Sequence, residues 1–307
     1  MIMSNLIRIA TRKSPLALVQ ANRVKELIEK RLKDTTVKLI TRSTSGDTVS
    51  KAKFKKSGGK GLFLKELEEL LLDGDADIAV HSLKDVPVVV DKKFIITTVD
   101  LREEAGDVLI SKQFNKITEL PDKSVIGTSS PRRIAQIRNK YKNIQIKEIR
   151  GNVQTRIAEL SNDKVDAVIL AAAGVKRLSL SDKISQYLPK DDYVPAAGQG
   201  VLCIQTTKNN EYILKTLKGL VLDEVDRCAS EERDFVRQFD GDCFSPIAAH
   251  CYIKNNKSTL IGYVSSTDGN RFIKTKIVEN VNEMRGIGKK LAKIMIEQGA
   301  KKILETK

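Results

Sequence analysis

The chain has 307 residues and carries 54 Lys+Arg against 39 Asp+Glu, a formal charge of +15. That length is too great for one core, and so basic a balance points to polyanionic partners: nucleic acid, an anionic membrane, or a small molecule with many carboxylates or phosphates. Aromatic residues make up 5% with no Trp, which argues against a base-stacking platform, and no apolar run is long and unbroken enough to cross a bilayer.

The N-terminus, MIMSNLIRIATRKSP, lacks the apolar stretch of a secretory signal, so a cytoplasmic protein is expected. Residues 6–24, LIRIATRKSPLALVQANRV, read as a short apolar strand ending at Arg12, a turn with Ser14-Pro15, and a helix. A second strand, VKLI, leads to Arg42. In SKAKFKKSGGKGLFLKEL (50–67) no periodicity appears before Leu62. Residues 48–60 therefore read as a basic loop, either plainly solvated or a lid over an anionic ligand, followed by a helix with Leu64, Leu67 and Leu71 inward. The loop does not match a nucleotide P-loop. LLLDGDADIAVHS (70–82) is a helix end, a polar turn and a buried strand, and the following LKDVP carries Lys84 and Asp85 to that strand's end.

GTSSPRRIAQI (127–137) joins a strand directly to a helix. Ser130 stands at the N-cap, where its hydroxyl would accept a bond from an early helical N–H, and Pro131 suits the first helical position. Arg132 and Arg133 then place positive charge at the end of a helix that prefers anions. An isolated pair of this kind reads first as solvated surface. An internal echo reverses that reading: 124–141 repeats the pattern of 6–24, and AELSNDKVDAVILAA (158–172) repeats that of 70–82. Each half therefore reads as strand-helix-strand-helix-strand, with apolar strands that imply parallel sheets covered by helices. Ligands of such sheets bind beyond the carboxyl ends of strands, where Arg12, Ser14, Asp85, Arg132, Arg133, Arg150 and, on the next helix, Arg156 all fall. Two such domains facing each other would enclose a cleft lined with guanidinium forks suited to carboxylate or phosphate.

Beyond about residue 200 the pattern changes. Residues 221–239 predict an amphipathic helix with Leu222, Val225, Cys228, Ala229, Phe235, Val236 and Phe239 near one stripe. Alternating strands follow over 247–278, with turns at Asn255-Asn256 and Asp268-Gly269, then a helix over 281–298 ended by Gly299. The cysteines, at 203, 228, 243 and 251, form no C-x-x-C pair, and His81 and His250 are the only histidines, so no metal site is expected. Cys228 reads as core. Cys243, in the loop FDGDCFSP, is the one cysteine off an apolar face, placed there by chance or as a nucleophile.

Taken together, RIATRKSPLAL, GGKGLF, ADIAVHSLKDVP, IGTSSPRR, RGNVQTR, VDAVILAAAGVKRL and PAAGQG, in this order and followed by Cys243, resemble the porphobilinogen deaminase (hydroxymethylbilane synthase) family across essentially the whole chain. The resemblance implies a monomeric transferase that condenses four porphobilinogen molecules, with loss of ammonia, into the linear tetrapyrrole 1-hydroxymethylbilane. It implies a dipyrromethane cofactor joined by a thioether to Cys243. Asp85 would act on pyrrole nitrogens and stabilise the cation left when ammonia departs. Lys84, Asp85, Ser130, Arg132, Arg133 and Arg156 would hold the cofactor; Arg12, Ser14, Arg150, Arg156 and Arg177 would receive substrate; Lys56 and Lys60 would belong to the lid. The implied fold is α/β: two similar doubly wound, type II periplasmic-binding-protein-like domains plus a small α+β C-terminal domain. The expected boundaries are 1–99 with 194–218, 100–193 and 219–307, with hinge strands at YVPAAGQG and near Val99. Three places depart from the family pattern: Asp242 before Cys243, where a neighbouring carboxylate disfavours thiolate; LREEAGDVLI, which keeps only Asp107 of an Asp-Pro-Arg-Asp run; and Pro131 in place of a common leucine. The rival readings are a non-catalytic two-lobed solute-binding protein and, on charge alone, a nucleic-acid binder.

Overall fold

A computed structural model describes residues 5–43, 64–162, 164–240 and 245–305. The lid lysines Lys56 and Lys60, and Cys243 with its neighbour Asp242, lie outside the described residues. By packing, the chain divides into two units, Met1–Arg102 with Val201–Asp226, and Glu103–Gly200 with Arg227–Lys307.

In the first unit β1 (Asn5–Arg12) lies between β2 (Thr35–Arg42) and β3 (Ile78–Ser82), parallel to both. Helix α1 (Pro15–Arg31) starts on Pro15 and buries Gln20, Ala21, Val24 and Ile28, a stripe at helical spacing. Its Val24 and Ile28 pack with Ile7, Ile9, Ile78 and Val80 on one face of the sheet. Ala10 and Ala79 point the other way, against Leu67, Leu70 and Leu71 of α2 (Lys65–Leu72). Each large apolar side chain buried this way contributes on the order of 1.5–3 kcal/mol. Strand β4 (Phe94–Val99) closes the sheet through a later strand, β10 (Leu202–Thr207), which is antiparallel to both β3 and β4.

The second unit repeats the scheme with β5 (Asp107–Ser111), β6 (Val125–Gly127), α3 (Pro131–Lys140), β7 (Gln145–Lys147), α4 (Val153–Ser161), β8 (Ala167–Ala171), α5 (Ala172–Arg177) and β9 (Gln186–Tyr187). The two sheet orders, β2-β1-β3-β10-β4 and β7-β6-β8-β5-β9, correspond strand for strand. Both sheets are mixed, which corrects the parallel expectation: β5, like β10, runs against its neighbours. A strand covered on both faces is apolar whichever way its neighbours run, so hydrophobicity alone does not reveal direction.

Helix α6 (Glu211–Leu217) packs Ile213 and Leu217 into the first unit's core. Then come α7 (Asp223–Arg237), the antiparallel meander β11 (Ile247–Lys254), β12 (Lys257–Ser265) and β13 (Phe272–Asn280), and helices α8 (Ile287–Glu297) and α9 (Ala300–Glu305). Asn255 and Asn256 both take positive φ, 51° and 58°, in the β11–β12 turn. Two expectations change here. Leu222 precedes α7 and is exposed, whereas Glu231 and Glu232 of that helix are buried. The Glu231 carboxylate accepts the Gly286 and Gly288 N–H groups at 2.8 Å each, so it caps α8 from outside. Gly286, at φ 86°, delays the start of α8 to Ile287.

A polar chain runs through the first unit behind β3. Buried His81 Nε2 lies 3.0 Å from Gln205 Oε1, and Gln205 Nε2 donates to Glu68 Oε1 at 2.7 Å. With Glu68 accepting, Gln205 presents its oxygen to the imidazole, which fixes Nε2–H as donor. Burial lowers the His81 pKa to about 4, against the Gln205 bond that supports the cation and with the charge of Arg12. The unfolded imidazole takes its proton near pH 6.5, so its stabilising contribution is complete above that value and is lost as pH falls toward 4. Thermal unfolding between pH 7 and 4 is expected to show this loss, on the order of 3 kcal/mol, and His81→Asn is expected to flatten it. An equal slope in both proteins would contradict the assignment.

Candidate active site

In the first unit the candidates gather at the carboxyl edge of the sheet. The register pairs Ala10 with Ala79, so the parallel strands β1 and β3 deliver Arg12 and Ser82 to the same edge. Ser14 is the N-cap residue of α1. Ser82 Oγ accepts Gln20 Nε2 at 2.8 Å, and β3 passes into a 3-10 turn over Leu83–Asp85. Buried Leu83 and Val86 anchor the turn on either side, with Leu83 N–H donating to Val201 O at 3.0 Å and Val86 N–H to Leu83 O at 3.1 Å. The turn therefore holds Lys84 half-buried and turns Asp85 out to solvent.

In the second unit β6 runs through Thr128, Ser129 and Ser130 into α3, which begins at Pro131 as expected. Ser130 does not cap with its hydroxyl; its carbonyl accepts the Ile134 N–H, and its own N–H donates to Thr128 Oγ1 at 3.3 Å. Arg132 and Arg133 neither splay into water nor stand as open forks, with only 4% and 7% of their surface exposed. Arg132 Nη1 donates to Asp107 Oδ2 and to Val194 O, both at 2.8 Å. Arg133 Nη2 donates to Asp107 Oδ1 at 2.8 Å and its Nη1 to Ile169 O at 2.9 Å. Gln199 Nε2 completes the cluster, donating to Asp107 Oδ1 at 2.9 Å. Burial works to raise the Asp107 pKa, and the two guanidiniums overcome it, holding this carboxyl well below the usual range.

Asp107 reaches this position because β5 is antiparallel: its first residue pairs with Ala171, the last of β8, and so lies at the carboxyl edge. A parallel reading of the sheet would send it to the opposite end. The sequence signal that was present is the retained Asp107 itself in LREEAGDVLI.

Farther along the same unit, Arg150 is exposed and Gly151 takes φ 104°, a value side chains avoid. A Cβ at Gly151 would stand 2.8 Å from Thr155 Cγ2. Asn152 caps α4, its Oδ1 accepting the Thr155 N–H at 2.8 Å and Oγ1 at 2.9 Å. Arg156 Nε donates to Gly151 O at 2.8 Å, which aims its guanidinium back over the turn. Arg177 closes α5 and donates through Nη2 to Gly200 O at 2.8 Å. That carbonyl also accepts the Glu103 N–H at 3.1 Å, so Arg177 is tied to the AAGQG turn.

An anionic group fits this donor set. Two buried guanidiniums face one carboxylate, leaving one positive charge in excess, and Arg133 Nε is buried with no hydrogen-bond partner among the described residues. A buried cation in that state is costly unless an anion joins it. At the first unit's sheet edge Asp85 is the carboxylate among the candidate residues; at the second unit's edge Asp107 is already held by Arg132 and Arg133, and the other candidates are cations and a hydroxyl.

A family model described as "Porphobilinogen deaminase, dipyromethane cofactor binding domain" matches residues 7–215, and "Porphobilinogen deaminase, C-terminal domain" matches 227–297. The chain is 42% identical over 303 residues to the porphobilinogen deaminase of Prochlorococcus marinus subsp. pastoris, covering 97% of this chain and 95% of that one. It is 40% identical over 300 residues to that of Francisella tularensis subsp. novicida, covering 98% and 99%. Among solved structures, the periplasmic aliphatic sulphonate binding protein of Escherichia coli aligns at TM-score 0.41 and 15% identity, over 76% of this chain and 70% of that one. With matches spanning nearly its full length, the chain belongs to the porphobilinogen deaminase family.

Proposed function

We propose that this chain is a hydroxymethylbilane synthase, joining four porphobilinogen molecules head to tail with release of ammonia. The near-full-length family match carries the reading, and the charge pattern of the site supports it. Porphobilinogen carries an acetate and a propionate, so each added pyrrole brings two carboxylates, and a strongly basic protein answers that accumulation. The dipyrromethane, when bound through Cys243, supplies the primer for chain growth.

The chain's own residues bind, orient and stabilise. Arg132 and Arg133, with Lys84, Ser130 and Arg156, take cofactor carboxylates. Arg12, Ser14, Arg150, Arg156 and Arg177 take those of incoming substrate. Asp85, an exposed carboxylate on a pinned turn, accepts hydrogen bonds from pyrrole N–H groups and offsets the positive charge that develops as ammonia leaves. Lys56 and Lys60, outside the described residues, would add their charge as part of a lid. The chain works as a cytoplasmic monomer of three domains, 1–99 with 194–218, 100–193 and 219–307. Among the described residues no helix is long and apolar enough to cross a membrane.

The test is incubation with porphobilinogen while ammonia and hydroxymethylbilane are measured. Four ammonia molecules per tetrapyrrole are expected, and Asp85→Asn is expected to lower kcat at least ~100-fold. Binding of porphobilinogen without ammonia release would instead favour a solute-binding protein. A second expectation concerns the turn that aims Arg156. Gly151→Ala sets a Cβ against Thr155 at a positive φ and is expected to turn the Gly151 carbonyl away from Arg156 Nε; loss of an oriented charged contact, about 1.5–3 kcal/mol, is expected to raise KM roughly tenfold or more. An unchanged KM in a folded variant would show that Arg156 is not held through this carbonyl.

A further inference from the structure

Asp107 has no place in the reaction as described, yet it is the most heavily engaged carboxylate at the second unit's sheet edge. It is 1% exposed and receives Arg132, Arg133 and Gln199, all within 2.9 Å. Stability alone is a poor reason for it, since a buried ion cluster can often be replaced by apolar residues of similar volume at no loss. What the carboxylate does is geometric. Each guanidinium is fixed at two points, Arg132 by Asp107 and Val194 O, Arg133 by Asp107 and Ile169 O. Arg133 is thereby left with its Nε unspent. Gln199 fastens the carboxylate itself, and by donating also to Ala105 O at 2.6 Å it ties Asp107 to the chain just before β5.

We propose that Asp107, held by Gln199, is the positioning residue for the Arg132–Arg133 pair, and that its single negative charge leaves the pair one positive charge in excess, matched to one ligand carboxylate. This rests on the hydroxymethylbilane synthase reading. Without the Asp107 charge the two guanidiniums, which now share one carboxylate, repel each other and leave their places. The pair then carries two charges in excess in Asp107→Asn, none in Arg133→Gln, and one again in the double variant.

The full-length chain, produced without a supply of porphobilinogen, is incubated with it, and gain of a two-pyrrole adduct is followed by intact mass, beside thermal unfolding and the KM and kcat of ammonia release. Asp107→Asn is expected to slow adduct gain at least tenfold and to raise KM more than it lowers kcat. Asp107→Asn/Arg133→Gln is expected to melt higher than Asp107→Asn and to load faster than either single variant. Coupling of this kind marks residues that act through one another. Loading of Asp107→Asn at the wild-type rate and KM, with only a lower melting temperature, would make the residue merely structural and overturn the proposal. So would a double variant slower than both singles. If Asp107→Asn does not fold, the comparison of the double variant with Arg133→Gln decides the matter. A wild-type chain that gains no adduct would overturn the hydroxymethylbilane synthase reading itself, an outcome distinct from both.

Discussion

The carboxylate of Asp107 against the guanidiniums of Arg132 and Arg133 is the interaction around which the second unit is arranged. It joins the start of β5 to the first turn of α3. Through the same arginines it reaches Val194 O and, in the middle of β8, Ile169 O, and through Gln199 it reaches the AAGQG turn. A helix N-terminus disfavours two cations. It tolerates them here because the acid arrives from an antiparallel strand whose first residue falls at the same edge. The balance of charge remains positive, and a positive, nine-tenths buried cluster is a place for an anion.

The first unit shows the same economy with different residues. β10 occupies the position that β5 holds in the second sheet, and its start, like that of β5, lies at the carboxyl edge, opposite Ser82. Val201, just before it, holds the Leu83–Asp85 turn by accepting the Leu83 N–H. One unit thus uses an incoming antiparallel segment to buttress two arginines, and the other uses its counterpart to present an aspartate. The doubled architecture gives Asp85 and Asp107 places at the carboxyl edges of their own sheets.

Much of this was legible in the residues. The Ser-Pro helix starts at 14–15 and 130–131, the apolar strands, the inward leucines of α2, the asparagine turn and the strand-end arginines all follow from local rules of periodicity and capping. Strand direction did not, because a doubly covered strand carries no directional signal in its hydrophobicity, and the partnership of Asp107 was hidden with it. Glu231 and Glu232 escaped for another reason: their acceptors' donors are backbone N–H groups remote in sequence, at Gly286, Gly288, Gly198 and Cys251, and no side-chain pattern announces them. Ser130 shows the limit of capping rules. The helix begins where its N-cap grammar says, yet the hydroxyl makes no cap bond.

On the hydroxymethylbilane synthase reading, this basic, carboxylate-seeking protein is built around a polypyrrole covalently held at Cys243. The decisive comparison is the intact mass of the purified chain beside that of its Cys243→Ala variant. The wild type, as isolated or after exposure to porphobilinogen, is expected to exceed its sequence mass by two pyrrole units while the variant matches its own. A wild type that stays at its sequence mass after exposure, or an equal surplus on the variant, would contradict that reading.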